Sequence, residues 1–447
     1  MGQSKRLRQT RVLVAGAGLA GLAAARALDA DGADVTVIEP RERVGGRVWT
    51  IRDGLNGQHA EAGADIIEDE QTAVLTLARE CRLPTVRMLR GGFGYYGLTA
   101  GGRLAIQTSE RAFAPLGREL EPLVRAYLLA EQRWDSAIAA ALAAESVADW
   151  AKRCRMAPWI RERLKALRGL FLADPEDLSL LALVDFMAAD PLSGQADGSL
   201  RIASGNDRLA TVVASQLTAP VRLGASLHRV EQRGRRVTAT IEERGRLDRW
   251  TGDYVVVAIP ASTARRVEFA PALPERQARA IAGLRYGAAT RVLLQFERRF
   301  WKRTGRPSAF GSAGVHGAVW DANAHQRGKK GILSLLAGGT ASDGVNRVIG
   351  REGIGGLVTR LRWLGRPAPL LASRVIRWDA DPWVGGGYAF FEAGFDPLLR
   401  DALARPAERV LFAGEHTSVR WQGYMNGAVE SGQRAAAEVA ALEGLAG

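Results

Sequence analysis

The chain has 447 residues, 47% of them hydrophobic and 24% charged, a balance that excludes a disordered or membrane-embedded protein and suits two or three folded domains. The net charge of +13 raises nucleic acid as a partner, yet only six of the 61 basic residues are lysines. The arginines are spread along the chain, and the short cluster Arg327–Lys330 reads as the edge of a loop, so charge alone argues for no nucleic-acid function.

The basic start "MGQSKRLRQTR" precedes an apolar run, as in a signal peptide, but that run carries glycines at turn spacing and Arg26. No stretch of about 18 uninterrupted apolar residues occurs, and the last helix is polar-faced, so neither a membrane span nor a tail anchor is expected. Cys81 and Cys154 give no bridge framework and no metal-ligand spacing. The expectation is a cytoplasmic protein without metal, membrane or nucleic-acid partner.

Val12–Ala15 forms a short apolar run suited to a buried parallel strand. Gly16, Gly18 and Gly21 follow, then an alanine- and leucine-rich helix closed by "DADG" and a second strand ending at Glu39. A GxGxxG pattern alone is weak; between two strands, with an acid closing the second, it is a dinucleotide fingerprint. Gly16 makes the tight turn, Gly18 admits a pyrophosphate to the backbone, and Gly21 lets the helix approach the sheet. Glu39 would accept hydrogen bonds from ribose hydroxyls and repel a 2′-phosphate, which favours FAD or NAD over NADP.

From about residue 70 to 204 the texture changes: residues 111–154 and "PEDLSLLALVDFMAA" have the periodicity of amphipathic helices, with Ser146 as an N-cap before "VADWAKRC". "IASGNDRLATVVASQL" opens another helix at a glycine. Residues 221–260 read as successive short strands ending in "YVVVAIP", and "TRVLLQFERRFW" as a further strand. The chain returns to a strand, turn and helix in "RVLFAGEHTS…GYMNGAVESGQRAA". The fold class is therefore α/β, with a Rossmann-like nucleotide-binding domain that is discontinuous: residues 1–75, 205–275 and 376–447. An inserted α+β substrate-binding domain takes residues 76–204 and 276–375, in part helical.

With both ends in view, the sequence resembles the flavin-containing amine oxidases, which include monoamine, polyamine and L-amino acid oxidases, along nearly its whole length. "RERVGGRVWT" is similar to the family's Arg-x-Gly-Gly-Arg signature, which implies that Arg41, Gly46 and Arg47 lie at the FAD pyrophosphate. "AEAGADII" implies Gly63, Ala64 and Asp65 beside the flavin, and Leu227 joins the cofactor contacts. "ASGNDRL" departs from the family's Gly-Gly element by Ser204. "FAGEHTS" and "GYMNGAVESGQRAA" put Gly414, Glu415, Gly423, Tyr424 and Met425 against FAD. Tyr388 and Tyr424 match the family's paired tyrosines, which flank an amine in front of the flavin. Gly387 stands where mammalian monoamine oxidases carry the cysteine that links to flavin, so the resemblance implies non-covalent FAD.

A second departure is Arg291, where the family usually has a lysine near flavin N5; arginine is longer, planar and permanently charged. The implied activity is oxidation of a small or medium amine to an imine, with electrons passing to dioxygen to give hydrogen peroxide. Tyr388, Tyr424 and Arg291 are the candidate catalytic residues, and Glu68 and Trp421 the candidate pocket residues. L-amino acid oxidase is the near alternative, and a flavin-dependent desaturase or dehydrogenase with another acceptor is a third. A basic nucleic-acid-binding protein with a vestigial FAD site is the non-enzymatic reading. His59, His228, His316 and His325 read as surface or structural, and His416 lies near the flavin by motif position. The sequence leaves a homodimer open.

Overall fold

The computed structural model describes residues 7–189 and 199–444; the first six residues of the basic start and the last three of the chain lie outside the described residues. Five parallel strands form one sheet in the order Val410–Phe412, Tyr254–Val257, Arg11–Ala15, Asp34–Glu39 and Arg222–Leu223. Chain segments from the start, the middle and the end thus share one sheet. Val12–Ala15 and Tyr254–Val257 are buried throughout because both faces of the sheet are covered.

Val12, Val14, Val256 and Leu411 pack with the first helix, Leu19–Ala30, and the last, Met425–Gly444. Leu13, Ala15, Val255 and Val257 pack instead with an antiparallel sheet built from Arg246–Gly252, Arg236–Glu243 and Ala225–Arg233, with Glu268–Ala270 alongside. The first and last helices meet closely at Gly432, where a β-carbon would fall 2.1 Å from the Ala20 carbonyl oxygen.

A seven-stranded sheet lies further along the chain, in the order Leu370–Arg377, Ala289–Phe296, Gly331–Gly338, Ala318–Asp321, Ala309–Ser312, Phe93–Leu98 and Leu104–Thr108. Its last two strands lie in the 70–204 stretch, ahead of the segments that read as helical in the sequence. Thr85–Met88 is a further strand there, paired antiparallel with Ser199–Ile202. Phe93–Leu98 is rich in glycine and aromatics, and it is fixed by parallel pairing with Ala309–Ser312, far along the chain. A local helical period could not reveal that partner.

The expected helices follow, Ser109–Leu129, Ala137–Ala143, Val147–Arg153 and Leu180–Ala188, and Pro158–Leu164 is a further one. Ser146 caps the third of these, its hydroxyl accepting from the Asp149 amide at 3.1 Å. Beyond the glycine turn at Gly205, the N-cap of helix Asp207–Ser215 is Asn206. No described helix is long and apolar enough to cross a membrane.

Candidate active site

A cavity of about 1170 Å³ opens at the carboxyl ends of the parallel strands, lined by Gly16 and Gly18 after the first, Glu39 and Arg41 around the second, Ala258–Pro260 after the middle one and Gly414 after the last. That is where open parallel sheets take their ligands. The volume exceeds the roughly 300–1,000 Å³ of drug-sized sites, leaving room for more than a small molecule.

Gly16 has φ +107° and a β-carbon there would lie 2.8 Å from the Ala258 carbonyl, so the turn admits only glycine. Gly18 precedes the first helix, and a β-carbon on it would meet nothing within 4 Å, so its backbone faces open cavity with the helix N–H groups behind it. Gly21 is the one predicted cofactor residue that does not line the cavity; a β-carbon there would sit 1.8 Å from the Gly16 oxygen. The first turn of the helix thus lies against the Gly16 turn and Ala258.

Glu39 is buried, accepting from the Ala17 amide at 3.0 Å and from Arg41 Nη1 at 3.4 Å. Burial pushes its carboxyl up, and Ala17 and Arg41 oppose that shift. Arg41 also reaches Asp381 at 2.7 Å. Arg47 Nη1 donates to Glu415 Oε1 at 2.7 Å and to the Gly387 carbonyl at 2.9 Å. The other oxygen of Glu415 accepts from the Gly423 amide at 2.9 Å. Burial, the largest single influence, would raise the Glu415 carboxyl, but the Arg47 charge and hydrogen bond, His416 and the Gly423 amide together outweigh it and hold the group below the usual carboxylate range. Glu415 thereby ties a residue from the first third of the chain to the turn carrying Tyr424.

Gly63, Ala64 and Asp65 line the cavity together with Arg291, and the Ala64 amide donates to the Arg47 carbonyl at 3.0 Å. Arg291 sits on the fully buried strand Ala289–Phe296. Its Nη2 donates to the Gly63 carbonyl at 2.8 Å and Nη1 to Ser334 Oγ at 2.8 Å, with Asp65 at 3.6 Å. The guanidinium lies 4.6 Å from the Trp320 ring centroid. Asp65 also pairs with the fully buried Arg201 and accepts from Trp320 Nε1 at 2.9 Å. Of the Arg291 nitrogens, Nε is buried without a partner. Nearby, buried Glu61 accepts from Thr50 Oγ1 at 2.7 Å and from the Asn206 amide at 3.0 Å. Burial, against the Arg201 charge, pushes it up to about 7.

Tyr388 and Tyr424 both line the cavity. A β-carbon on Gly423, whose φ is +82°, would fall 3.3 Å from the Tyr388 ring, so the glycine before Tyr424 makes room for the other tyrosine. The Tyr388 hydroxyl donates to the Leu170 carbonyl. Tyr424 packs edge-on against Trp421, with ring centroids 5.7 Å apart. Burial and the neighbouring Glu68 push the Tyr424 hydroxyl up to about 12, and burial raises Tyr388 as well, so both rings are neutral phenols near pH 7. Gly387 faces Leu172: a β-carbon there would lie 2.3 Å from Leu172 Cδ1.

Leu227, Met425, Glu68 and Trp421 also line the cavity, as does Gly46. Glu68 accepts from Ser199 Oγ at 3.2 Å, whereas Asp69 and Glu70 are exposed. His416 is buried, pushed down to about 4 by burial and hence neutral, and its ring fills the space beside Gly414. His228 lies on the cavity rim with Glu242 at 2.8 Å. His316 is buried, and His59 and His325 face each other at 5.8 Å. Among the described residues no group of three or more His, Cys, Asp or Glu could hold a metal ion.

The sequence did not point to Leu170, Leu172, Trp320 or Ser334. These are apolar or small residues with no motif signal, brought in by packing from other elements.

The family model for flavin containing amine oxidoreductases matches residues 19–440. AofH of Mycobacterium tuberculosis, named as a flavin-containing monoamine oxidase, is 30% identical over 455 residues, covering 96% of each chain. The L-amino-acid oxidase BmooLAAO-I of Bothrops moojeni is 25% identical over 473 residues, covering 96% of this chain and 89% of its own. Among solved structures, cyclohexylamine oxidase from Brevibacterium oxydans superposes with a TM-score of 0.86 at 25% identity, over 97% of this chain and 99% of its own. Putrescine oxidase bound to putrescine superposes with a TM-score of 0.83 at 25% identity, over 97% and 99%. One cavity built from both ends of the chain, on a fold shared with these enzymes, goes with a match along almost every residue: the chain belongs to the flavin-containing amine oxidoreductases, and flavin is its cofactor.

Proposed function

We propose that the chain oxidises a small or medium amine to an imine, which water converts to an aldehyde or ketone, and that dioxygen takes the electrons as hydrogen peroxide. The observation that carries this reading is the meeting of Gly16, Gly18, Glu39 and Arg47 with Tyr388 and Tyr424 around one cavity. The lining fits FAD: a glycine turn with no β-carbons in the way, a helix N-terminus for the pyrophosphate and a buried carboxylate for the ribose. Bound there, FAD would accept two electrons from the carbon next to the amine nitrogen.

The residues of the chain have the remaining work. Tyr388 and Tyr424, neutral and half-buried, orient the amine and keep the reacting carbon out of bulk water. Gly63, Ala64, Gly414, Gly423 and Met425 bring backbone to the ring system. Non-covalent attachment is part of the proposal, supported by Gly387 and by the Leu172 side chain lying against it. So is a discontinuous FAD-binding domain of residues 1–75, 205–275 and 376–447. A reducing cytoplasmic setting is also part of it, supported by the free thiols of Cys81 and Cys154.

The test is anaerobic mixing of the FAD-loaded protein with amines and amino acids, followed by admission of air. Loss of the yellow flavin colour with amines supports the reading, and its absence with every amine rejects it. Tyr388→Phe and Tyr424→Phe should lower the bleaching rate; unchanged rates in both would remove the tyrosines from the mechanism. A second reading, amine oxidation with an acceptor other than dioxygen, is favoured by the anchoring of Arg291 on Ser334, Gly63 and Trp320. An arginine so fixed cannot act as a mobile ammonium. Slow recovery of colour in air, made faster by Arg291→Lys, would select it.

A further inference from the structure

The cavity extends beyond the tyrosines into the helical part of the molecule, and that extension carries a statement about substrate. Phe113, Leu116, Gly117 and Leu120 of helix Ser109–Leu129 line it, spaced i, i+3, i+4, i+7 and therefore on one face. Leu183 and Phe186 of helix Leu180–Ala188 line it from the partner helix. Leu167 and Phe171 close it, and Phe171 packs edge-on against Phe186 at 5.4 Å. This slot adjoins Tyr388 directly, since the Tyr388 hydroxyl donates to Leu170 next to Phe171.

None of those eight residues carries a charge or a polar side-chain atom. The carboxylate of the second helix that reaches the cavity, Asp185, already accepts the Tyr127 hydroxyl at 2.8 Å and faces the Arg400 charge. Glu110 is exposed at the start of the first helix. Glu68 stands elsewhere, next to Tyr424 and bonded to Ser199.

Gly117 is the informative residue. It lies inside a helix, where glycine is the costlier choice, and no positive φ requires it. A β-carbon there would meet nothing within 4 Å. Neither backbone nor packing asks for glycine at this position, and its effect is to leave space in the apolar wall.

We infer that the preferred substrate is a monoamine with an extended hydrocarbon or aromatic body lying in this slot, and that Gly117 sets the room for it. A diamine of the putrescine type is disfavoured, because its second ammonium would enter an apolar wall without a partner. The inference rests on the amine-oxidising reading above.

The experiment uses full-length FAD-loaded protein under anaerobic conditions. Bleaching is followed with n-butylamine, n-hexylamine, n-octylamine, phenethylamine and putrescine. In parallel, tert-octylamine, which has no hydrogen on its α-carbon, reports binding alone through the flavin absorbance. The apparent dissociation constant should fall about fourfold per added methylene, and putrescine should bind weakest. Gly117→Leu should cut the preference for n-octylamine over n-butylamine about tenfold and weaken tert-octylamine. Gly117→Ala, which adds one methyl and improves the helix, should change that preference less than Gly117→Leu and checks that the fold survives. Putrescine binding more tightly than n-hexylamine, or an unchanged preference in Gly117→Leu, overturns this inference and leaves the amine-oxidising reading standing. Failure of every amine to bleach or perturb the flavin overturns both.

Discussion

Arg47 and Glu415 are 22% and 6% exposed at their side chains, so their 2.7 Å ion pair works largely outside water. Removing one member leaves the other buried without a counter-charge, which costs about 3 kcal/mol or more. Arg47→Met should therefore lower stability by that amount at pH 7 and weaken FAD retention, measured by denaturant unfolding and by flavin release. The Glu415 carboxyl is held below its ordinary 4.5, so its contribution is present above that value and is lost as pH falls through the lowered one. The gap between wild type and Arg47→Met should accordingly narrow in acid. Glu61 has the opposite sign. Raised from 4.5 to about 7, it binds its proton more tightly when folded, so its ionisation begins to cost stability above about 4.5 and costs most above about 7. Glu61→Gln should match wild type near pH 4 and exceed it by about 1–3 kcal/mol at pH 8 in unfolding curves; a deficit at pH 8 would mean that the charge is needed beside Arg201.

The first and last helices show how an element can depend on one missing side chain. Gly432 lets them approach until its β-carbon position is 2.1 Å from the Ala20 carbonyl. Gly432→Ala must push the helices apart, and overpacking of this kind costs about 1–3 kcal/mol. Both helices begin at the cavity, after Gly18 and Tyr424, so the same variant should also lose FAD more readily, as read by flavin fluorescence released on dilution. Ser146 makes a contrasting case. Its hydroxyl caps Val147–Arg153, and Ser146→Ala should cost about 1 kcal/mol in thermal or denaturant unfolding without changing flavin retention.

For the whole molecule, the cofactor site joins strands from widely separated parts of the chain, so a ligand there stabilises the assembled sheet rather than one segment. At free FAD one hundredfold above its dissociation constant, mass action adds about 2.7 kcal/mol. Thermal unfolding of protein depleted of flavin should shift upward on adding FAD. Gly16→Val places a branched side chain at φ +107° against the Ala258 carbonyl and should abolish that shift.

By itself the sequence determined the parts whose cause is local. The glycine spacing at 16, 18 and 21, the acid at Glu39, the buried strands and the Ser146 cap all follow from backbone sterics and short-range hydrogen bonding. Family resemblance carried the placement of Tyr388, Tyr424 and Arg291, which no spacing rule supplies. Only the tertiary structure decided what depends on contacts between distant segments. It turned Phe93–Leu98 into a sheet strand by pairing it with Ala309–Ser312 and laid Leu104–Thr108 against that strand, fixed Arg291 between Gly63, Ser334 and Trp320, and set Leu172 against Gly387. It also opened the apolar slot at Gly117. An unfilled volume between two helices is a property of how their faces meet, and neither helix encodes it alone.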